Sequence, residues 1–256
     1  MERTLVQLPA VESPRQVEDG RGTTTTNVLV TGGTGALGSV LTRRLLDAGH
    51  RVAVTWRVEQ EAIALASVTE QDENLALIKA DVTDPDSVAA ATKETVMRYG
   101  SVDALVHLVG AWSGGRATHE LSPETWDRMI EINLTSAFLC SRAVLPGMIE
   151  RDRGRIVLVS SRGARLERAG QAAYAVAKAG VGVLAEAIAD ETRGSNVTAN
   201  VIAPSTIDTP ANRNGMPNAD FTAWVTPDEV AASVEFLVGD EAGALRGAWL
   251  PVYGNV

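Results

Sequence analysis

Tyr174 and Lys178 stand four residues apart in Tyr174-Ala175-Val176-Ala177-Lys178, a segment of helical character. That spacing puts a phenol and an ammonium on one helix face. A cation beside a phenol favours the phenolate and lowers its pKa from about 10, which suits acid/base work near neutrality. Upstream, Ile156-Val157-Leu158-Val159-Ser160-Ser161 reads as a buried strand ending in two hydroxyls. Parallel α/β sheets place their chemistry outside the carboxyl ends of their strands, and the serines fall at such an end. Tyr-x-x-x-Lys alone is also an ordinary helix sequence.

A second group of residues suits a dinucleotide. Strand Val28–Val30 runs into Thr31-Gly32-Gly33-Thr34-Gly35-Ala36-Leu37-Gly38 and then an amphipathic helix. Glycines there permit a tight turn and let backbone N–H groups approach a pyrophosphate at the helix N-terminus. A purely structural turn is the plain alternative. The end of the next strand is Thr55-Trp56-Arg57-Val58, with no carboxylate before Glu59. A carboxylate there accepts the 2′-hydroxyl of NAD, whereas an Arg accommodates the 2′-phosphate of NADP. Trp56 and Arg57 therefore favour NADP(H), with NAD(H) possible and a solvated surface Arg as the alternative. Asp81-Val82 follows the third strand, where an acid can accept from the adenine amino group or simply shape a turn.

These residues need a scaffold, and the chain alternates short β-rich runs with helical patterns. Strands are expected at 28–31, 51–55, 75–79, 104–108, 155–159, 196–202 and 248–252, and helices at 37–48, 85–99, 123–151, 172–193 and 227–237. The strands are apolar without strict alternation, as in a parallel sheet covered on both faces. Ser122-Pro123-Glu124 and Thr226-Pro227-Asp228-Glu229 carry helix-start signals, the second a capping box. The expectation is an α/β fold, a single doubly wound Rossmann-type parallel sheet flanked by helices. Residues 1–26 read as an irregular arm and 27–256 as one catalytic domain.

Composition excludes several classes. The net charge is −9 without a Lys/Arg stripe, so neither nucleic acid nor an anionic membrane is an expected partner. No apolar stretch is expected to approach the roughly 20 residues that cross a bilayer, and residues 1–22 lack the order of a secretory signal, so a cytoplasmic protein is expected. The single Cys140 lies in an apolar helical run and reads as a packing residue, while His50, His107 and His119 show no metal-ligand spacing.

From about Val28 to Tyr253 the chain resembles the short-chain dehydrogenase/reductase family. The family sets a Ser thirteen residues before its Tyr-x-x-x-Lys tyrosine, a position held here by Ser161. Asn133, in Ile130-Glu131-Ile132-Asn133-Leu134, matches its helix Asn; Ala203-Pro204-Ser205-Thr206-Ile207-Asp208-Thr209 resembles the stretch that holds the nicotinamide carboxamide. The resemblance implies that Tyr174 exchanges the substrate proton, Lys178 holds the nicotinamide ribose and lowers the Tyr pKa, Ser161 orients the carbonyl, and Asn133 positions a relay water. It assigns Pro204, Ile207, Thr209 and Gly110 to the cofactor. Three positions depart from the family pattern: Ala36 replaces a Gly, Ser205 replaces a Gly, and His107-Leu108-Val109-Gly110 stands for Asn-Asn-Ala-Gly.

Three segments resemble a divergent branch, dihydropteridine reductase: residues 32–39, Gly110-Ala111-Trp112-Ser113-Gly114-Gly115, and a lid at about 208–226 with Met216, Phe221 and Trp224. Trp112, Met216, Phe221 and Trp224 are accordingly expected to line the substrate pocket, or else to pack loops on the domain. The expected activity is hydride transfer between nicotinamide and a small, cyclic ketone or alcohol. A quinonoid dihydropterin is the runner-up, and a non-catalytic dinucleotide-binding regulator is a further alternative. Segments 123–151 and 172–193 carry enough apolar and small residues to join subunits into a homodimer or homotetramer.

Overall fold

The computed structural model describes residues 25–255 except Gln71 and Glu167, so the expected arm lies almost wholly outside the described residues. Seven strands form one parallel sheet: β1 (Asn27–Thr31), β2 (Arg51–Trp56), β3 (Leu75–Lys79), β4 (Ala104–His107), β5 (Gly154–Val159), β6 (Val197–Pro204) and β7 (Trp249–Val252). Their order is β3-β2-β1-β4-β5-β6-β7. The order reverses between β1 and β4, where Thr31 pairs with His107, and this is the point at which such sheets open a crevice.

Strand alternation divides the core. Val28, Val30, Val52, Val54 and Val106 face α1 (Ala36–Asp47) and α8 (Pro227–Val238) on one side. Leu29, Leu105, Ile156 and Leu158 face α3 (Pro85–Tyr99), α5 (Ser136–Glu150) and α6 (Ala172–Glu191) on the other. Both faces are covered, which explains why the strands read as apolar runs. Cys140 is buried in the second layer, and burial pushes its thiol up to about 12, so it packs rather than reacts.

Two helices escape the sequence pattern. In α2 (Glu59–Val68) only Ala62 and Leu65 are buried, too narrow a stripe to show as periodicity. In α7 (Pro210–Gly215) no residue is buried, and the turn rests on Thr209, whose hydroxyl accepts from Asn212 N, and on Pro210. The segment expected as one helix from 123 consists of α4 (Pro123–Ile130), a π-helical turn at Glu131–Thr135, and α5. The capping box at Thr226 forms as expected, with Thr226 N donating to Glu229 Oε2 at 2.8 Å and Glu229 N to Thr226 Oγ1 at 3.2 Å.

One expectation needs correction. Pro123–Glu150 and Ala172–Glu191 are long and apolar enough, by length and composition, to cross a bilayer. Here they are sheet-covering helices whose inner faces bury Val144, Met148, Val181, Ala185 and Ile188 in the core. Part of their apolarity is thus that of core-facing helices.

Candidate active site

The loop after β1 is shaped by two glycines. Gly32 has φ +74, and a Cβ on Gly38 would stand 2.3 Å from Gly32 O, so α1 packs directly on the loop backbone. Ala36, in place of the family glycine, is the exposed first residue of α1, where a methyl meets no obstacle. Gly35 caps α1 without a side-chain bond, and the first turn holds no acid. The free N–H groups and positive dipole end fit a dinucleotide pyrophosphate. Thr34 Oγ1 donates to Glu61 Oε2 at 2.8 Å, tying the loop to α2, a contact hidden from the sequence because α2 itself was.

At the ends of β2 and β3 the charges are exposed and paired. Arg57 Nη1 lies 3.5 Å from Asp81 Oδ2, so two residues expected to meet the cofactor separately meet each other here. Asp81 Oδ1 accepts from Thr83 Oγ1 at 2.7 Å and Thr83 N at 3.0 Å, and these bonds, the hydroxyl first, hold its carboxyl below the usual range. Lys79 Nζ sits 5.6 Å from the centre of the Trp56 ring, whose buried Nε1 has no hydrogen-bond partner among the described residues. Val82 is buried beside them.

In the other half of the crevice Asn133 and Lys178 are buried and Ser161 and Tyr174 half-buried. Ser160 Oγ donates to Lys178 O at 2.6 Å and anchors α6 on β5, which leaves Ser161 as the hydroxyl beside the Tyr174 ring, both within 4 Å of a Cβ placed on Gly163. Ser161 Oγ accepts from Gly163 N at 3.1 Å. Burial raises the Tyr174 pKa, and the Ser161 hydroxyl offsets this in part. The lowering expected from Lys178 is not found. The Lys178 ammonium donates instead to Val159 O at 2.9 Å, and burial brings its own pKa down to about 8.

Asn133 lies in the π turn, wholly buried. Its Nδ2 donates to Ala111 O at 2.9 Å and Met129 O at 3.0 Å, and its Oδ1 accepts from Ala111 N at 3.1 Å. A Cβ on Gly110 would stand 2.8 Å from Asn133 Oδ1 and 2.9 Å from Lys178 Nζ. Gly110 thus lets the β4 loop pass close over both side chains. Asn133, Ser161, Tyr174 and Lys178 therefore gather from three elements around one crevice.

The rim is built from the loop after β4 and the segment after β6. Trp112 is 65% exposed, and its Nε1 donates to Gln171 Oε1 at 3.3 Å. Gly115 N donates to Gly170 O at 2.9 Å, so the loop is latched at two points to the start of α6. Gln171, three residues before Tyr174, escaped the sequence reading because a polar residue ahead of a helix carries no signal of its own.

Pro204 ends β6, buried, and Ser205 Oγ donates to Tyr253 O at 2.8 Å in place of the expected glycine. Asn212 Nδ2 donates to Ile207 O at 2.8 Å, and Arg213 grips Asp208 with Nε at 2.5 Å and Nη2 at 2.7 Å. Met216 is exposed, and Phe221 lies between Arg213 and Trp224, with ring centroids 4.8 Å apart in the aromatic pair. Trp224 is only 9% exposed. A bridge between Ile207 and Val225 draws its backbone onto the domain.

The family model described as short chain dehydrogenase matches residues 26–219. The chain belongs to the short-chain dehydrogenase family. It is 33% identical to an acetoacetyl-CoA reductase of Allochromatium vinosum over 89% of this chain and 97% of that one. It is also 33% identical to a D-beta-hydroxybutyrate dehydrogenase of Cupriavidus necator, over 86% and 93%. Among solved structures, an actinorhodin polyketide ketoreductase with NADPH is 31% identical with TM-score 0.83, covering 90% of this chain and 98% of that one.

As a short-chain dehydrogenase/reductase the chain is an oxidoreductase acting on CH–OH and C=O groups with NAD or NADP. The uncapped N-terminus of α1 and the glycine contacts beneath it fit the pyrophosphate of such a cofactor.

Proposed function

We propose that this chain reduces a small, ring-bearing ketone to its alcohol with NADPH, Tyr174 giving the proton. The observation that carries this reading is the grouping of the Ser161 hydroxyl, the Tyr174 ring and buried Lys178 at the carboxyl end of β5. The raised pKa keeps the phenol protonated at neutral pH, the form required to protonate a carbonyl oxygen. The bound nicotinamide supplies the hydride in reduction and takes it up in the reverse direction. Ser161 donates to the carbonyl oxygen and fixes its distance from the phenol. Lys178, its ammonium oriented by Val159 O, holds the ribose. Asn133 holds the β4 loop and presents Oδ1, with one lone pair left, to a water that returns the proton.

NADPH is favoured over NADH because Arg57, next to Trp56 in sequence, and Lys79, 5.6 Å from the Trp56 ring, bring two cations to the strand ends, where a 2′-phosphate needs them. The exposed Trp112 indole offers a flat apolar face to a ring. A 3-oxoacyl thioester is the second reading, supported by relatives named as acetoacetyl-CoA and polyketide ketoreductases. Nucleotide oxidation measured with cyclic ketones, acetoacetyl-CoA and quinonoid dihydropterin separates these. Turnover of the thioester alone overturns the ring, turnover of the pterin alone restores the runner-up, and nucleotide binding without turnover of any substrate points to the regulator.

Association into a homodimer or homotetramer belongs to the same proposal. Phe138 and Ile149 on α5 and Val176 and Val183 on α6 are exposed apolar residues on the two helices expected to join subunits. Sedimentation as a monomer at micromolar concentration would contradict it.

A further inference from the structure

His107 ends β4 at the sheet's switch point, fully enclosed, and no step described above uses it. Its Nδ1 lies 2.7 Å from the hydroxyl of Thr31, the first residue of the dinucleotide loop. Its Nε2 lies 3.1 Å from Ser136 Oγ, and Ser136 Oγ donates to Ile132 O at 2.6 Å. Ile132 sits in the π turn beside Asn133.

The proton order follows from the last of these bonds. The single Ser136 proton is committed to Ile132 O, so toward His107 the Ser136 oxygen can only accept, and Nε2 must carry the hydrogen. In the neutral ring Nδ1 is then an acceptor, and the Thr31 hydroxyl donates to it. Full burial, with Lys178 nearby, keeps the ring neutral and brings its pKa down to about 3. Every bond runs one way: Thr31 to His107, His107 to Ser136, Ser136 to the π turn.

We infer that His107 is a positioning residue that locks the dinucleotide loop to the turn carrying Asn133, so that cofactor site and proton relay are set as one unit. This rests on the proposed roles of the Thr31 loop and Asn133. A residue that merely fills space would need neither nitrogen, yet both are bonded to polar groups from different halves of the crevice. A phenyl ring in its place offers neither the acceptor nor the donor.

Nitrogen-15 shifts of the histidines in the intact protein test the proton order directly, without any assay. Protonated Nε2 and bare Nδ1 are expected for His107 at pH 7, and the opposite tautomer or an imidazolium would overturn the inference. The functional arm compares Thr31→Val, Ser136→Ala and their double variant for nucleotide Kd, kcat and thermal melting. Each single variant is expected to lower kcat/KM about tenfold, and the pair about tenfold again in total rather than a hundredfold, because cutting either end frees the same ring. Multiplicative losses, or losses only in melting temperature, would overturn it. His107→Phe should weaken nucleotide binding and lower kcat together; unchanged kinetics in a folded variant would also overturn it, and if that variant fails to fold the double-variant comparison decides. Failure of the wild type to bind NADPH or NADH would instead strike the proposed function, which keeps the two failures distinct.

Discussion

The two sides of the crevice are built on opposite principles. On the β2–β3 side, the side chains of Arg57, Thr34 and Glu61 are each held by one exposed polar contact, and Arg57 is 66% exposed in its ion pair with Asp81. Such contacts are worth little in water and give way readily to a ligand phosphate. On the β4–β6 side, Asn133, Lys178 and His107 are enclosed and each has its polar atoms bonded to backbone or to another buried side chain. Buried polar groups are costly to leave unpaired, so their geometry is close to unique. The proposed nucleotide-selecting groups are therefore adjustable on one side, while the proposed catalytic groups on the other are pre-set.

The strongest way to break this comparison is at Tyr174. Tyr174→Phe removes one oxygen and leaves the ring to pack, so turnover is expected to fall by about 10²–10⁴-fold while nucleotide Kd stays within a few-fold. Steady-state kinetics with a nucleotide titration checks it, and near-native kcat would remove Tyr174 from its role.

Acid should strike the buried side next. His107 has its pKa brought down from 6.5 to about 3, so between those values the unfolded chain binds a proton that the folded one refuses. Stability present above pH 6.5 is lost as pH falls toward 3, by up to about 5 kcal/mol at about 1.4 kcal/mol per pH unit. Urea unfolding from pH 7 to 4 measures the slope, which should flatten in His107→Phe.

The adjustable side should yield a smaller and more selective effect. Arg57→Ala is expected to reduce the preference for NADPH over NADH about tenfold, the low end for a charge-assisted bond because the guanidinium is solvated. Raised salt should erode the wild-type preference in the same direction. A wild type that favours NADH would place Arg57 among ordinary surface charges.

The smallest effect is expected at the rim. Trp112→Ala should lower kcat/KM for ring ketones roughly fivefold, about 1 kcal/mol, and acyclic ketones less. Equal losses for both, following a drop in Tm, would make the indole a packing residue.

Much of this molecule is legible in local sequence. Apolar runs separated by capped helices specify the parallel sheet, because strands covered on both faces are built mainly of apolar residues. Gly32 to Gly38, Ser161, Tyr174 and Lys178 are readable since each lies within one strand–loop–helix unit whose spacing is fixed by the backbone. The helices α2 and α7 were not, because they bury two residues and none, and a helix without an apolar face leaves no periodic trace. Tertiary packing alone decided the rest. It turned Lys178 to Val159 rather than to the phenol, paired Arg57 with Asp81, buried Trp224, and set His107 between Thr31 and Ser136, which lie 105 residues apart in sequence (136 − 31). Solvent exposure and the partner of a polar atom depend on residues distant in the chain, so no local pattern carries them.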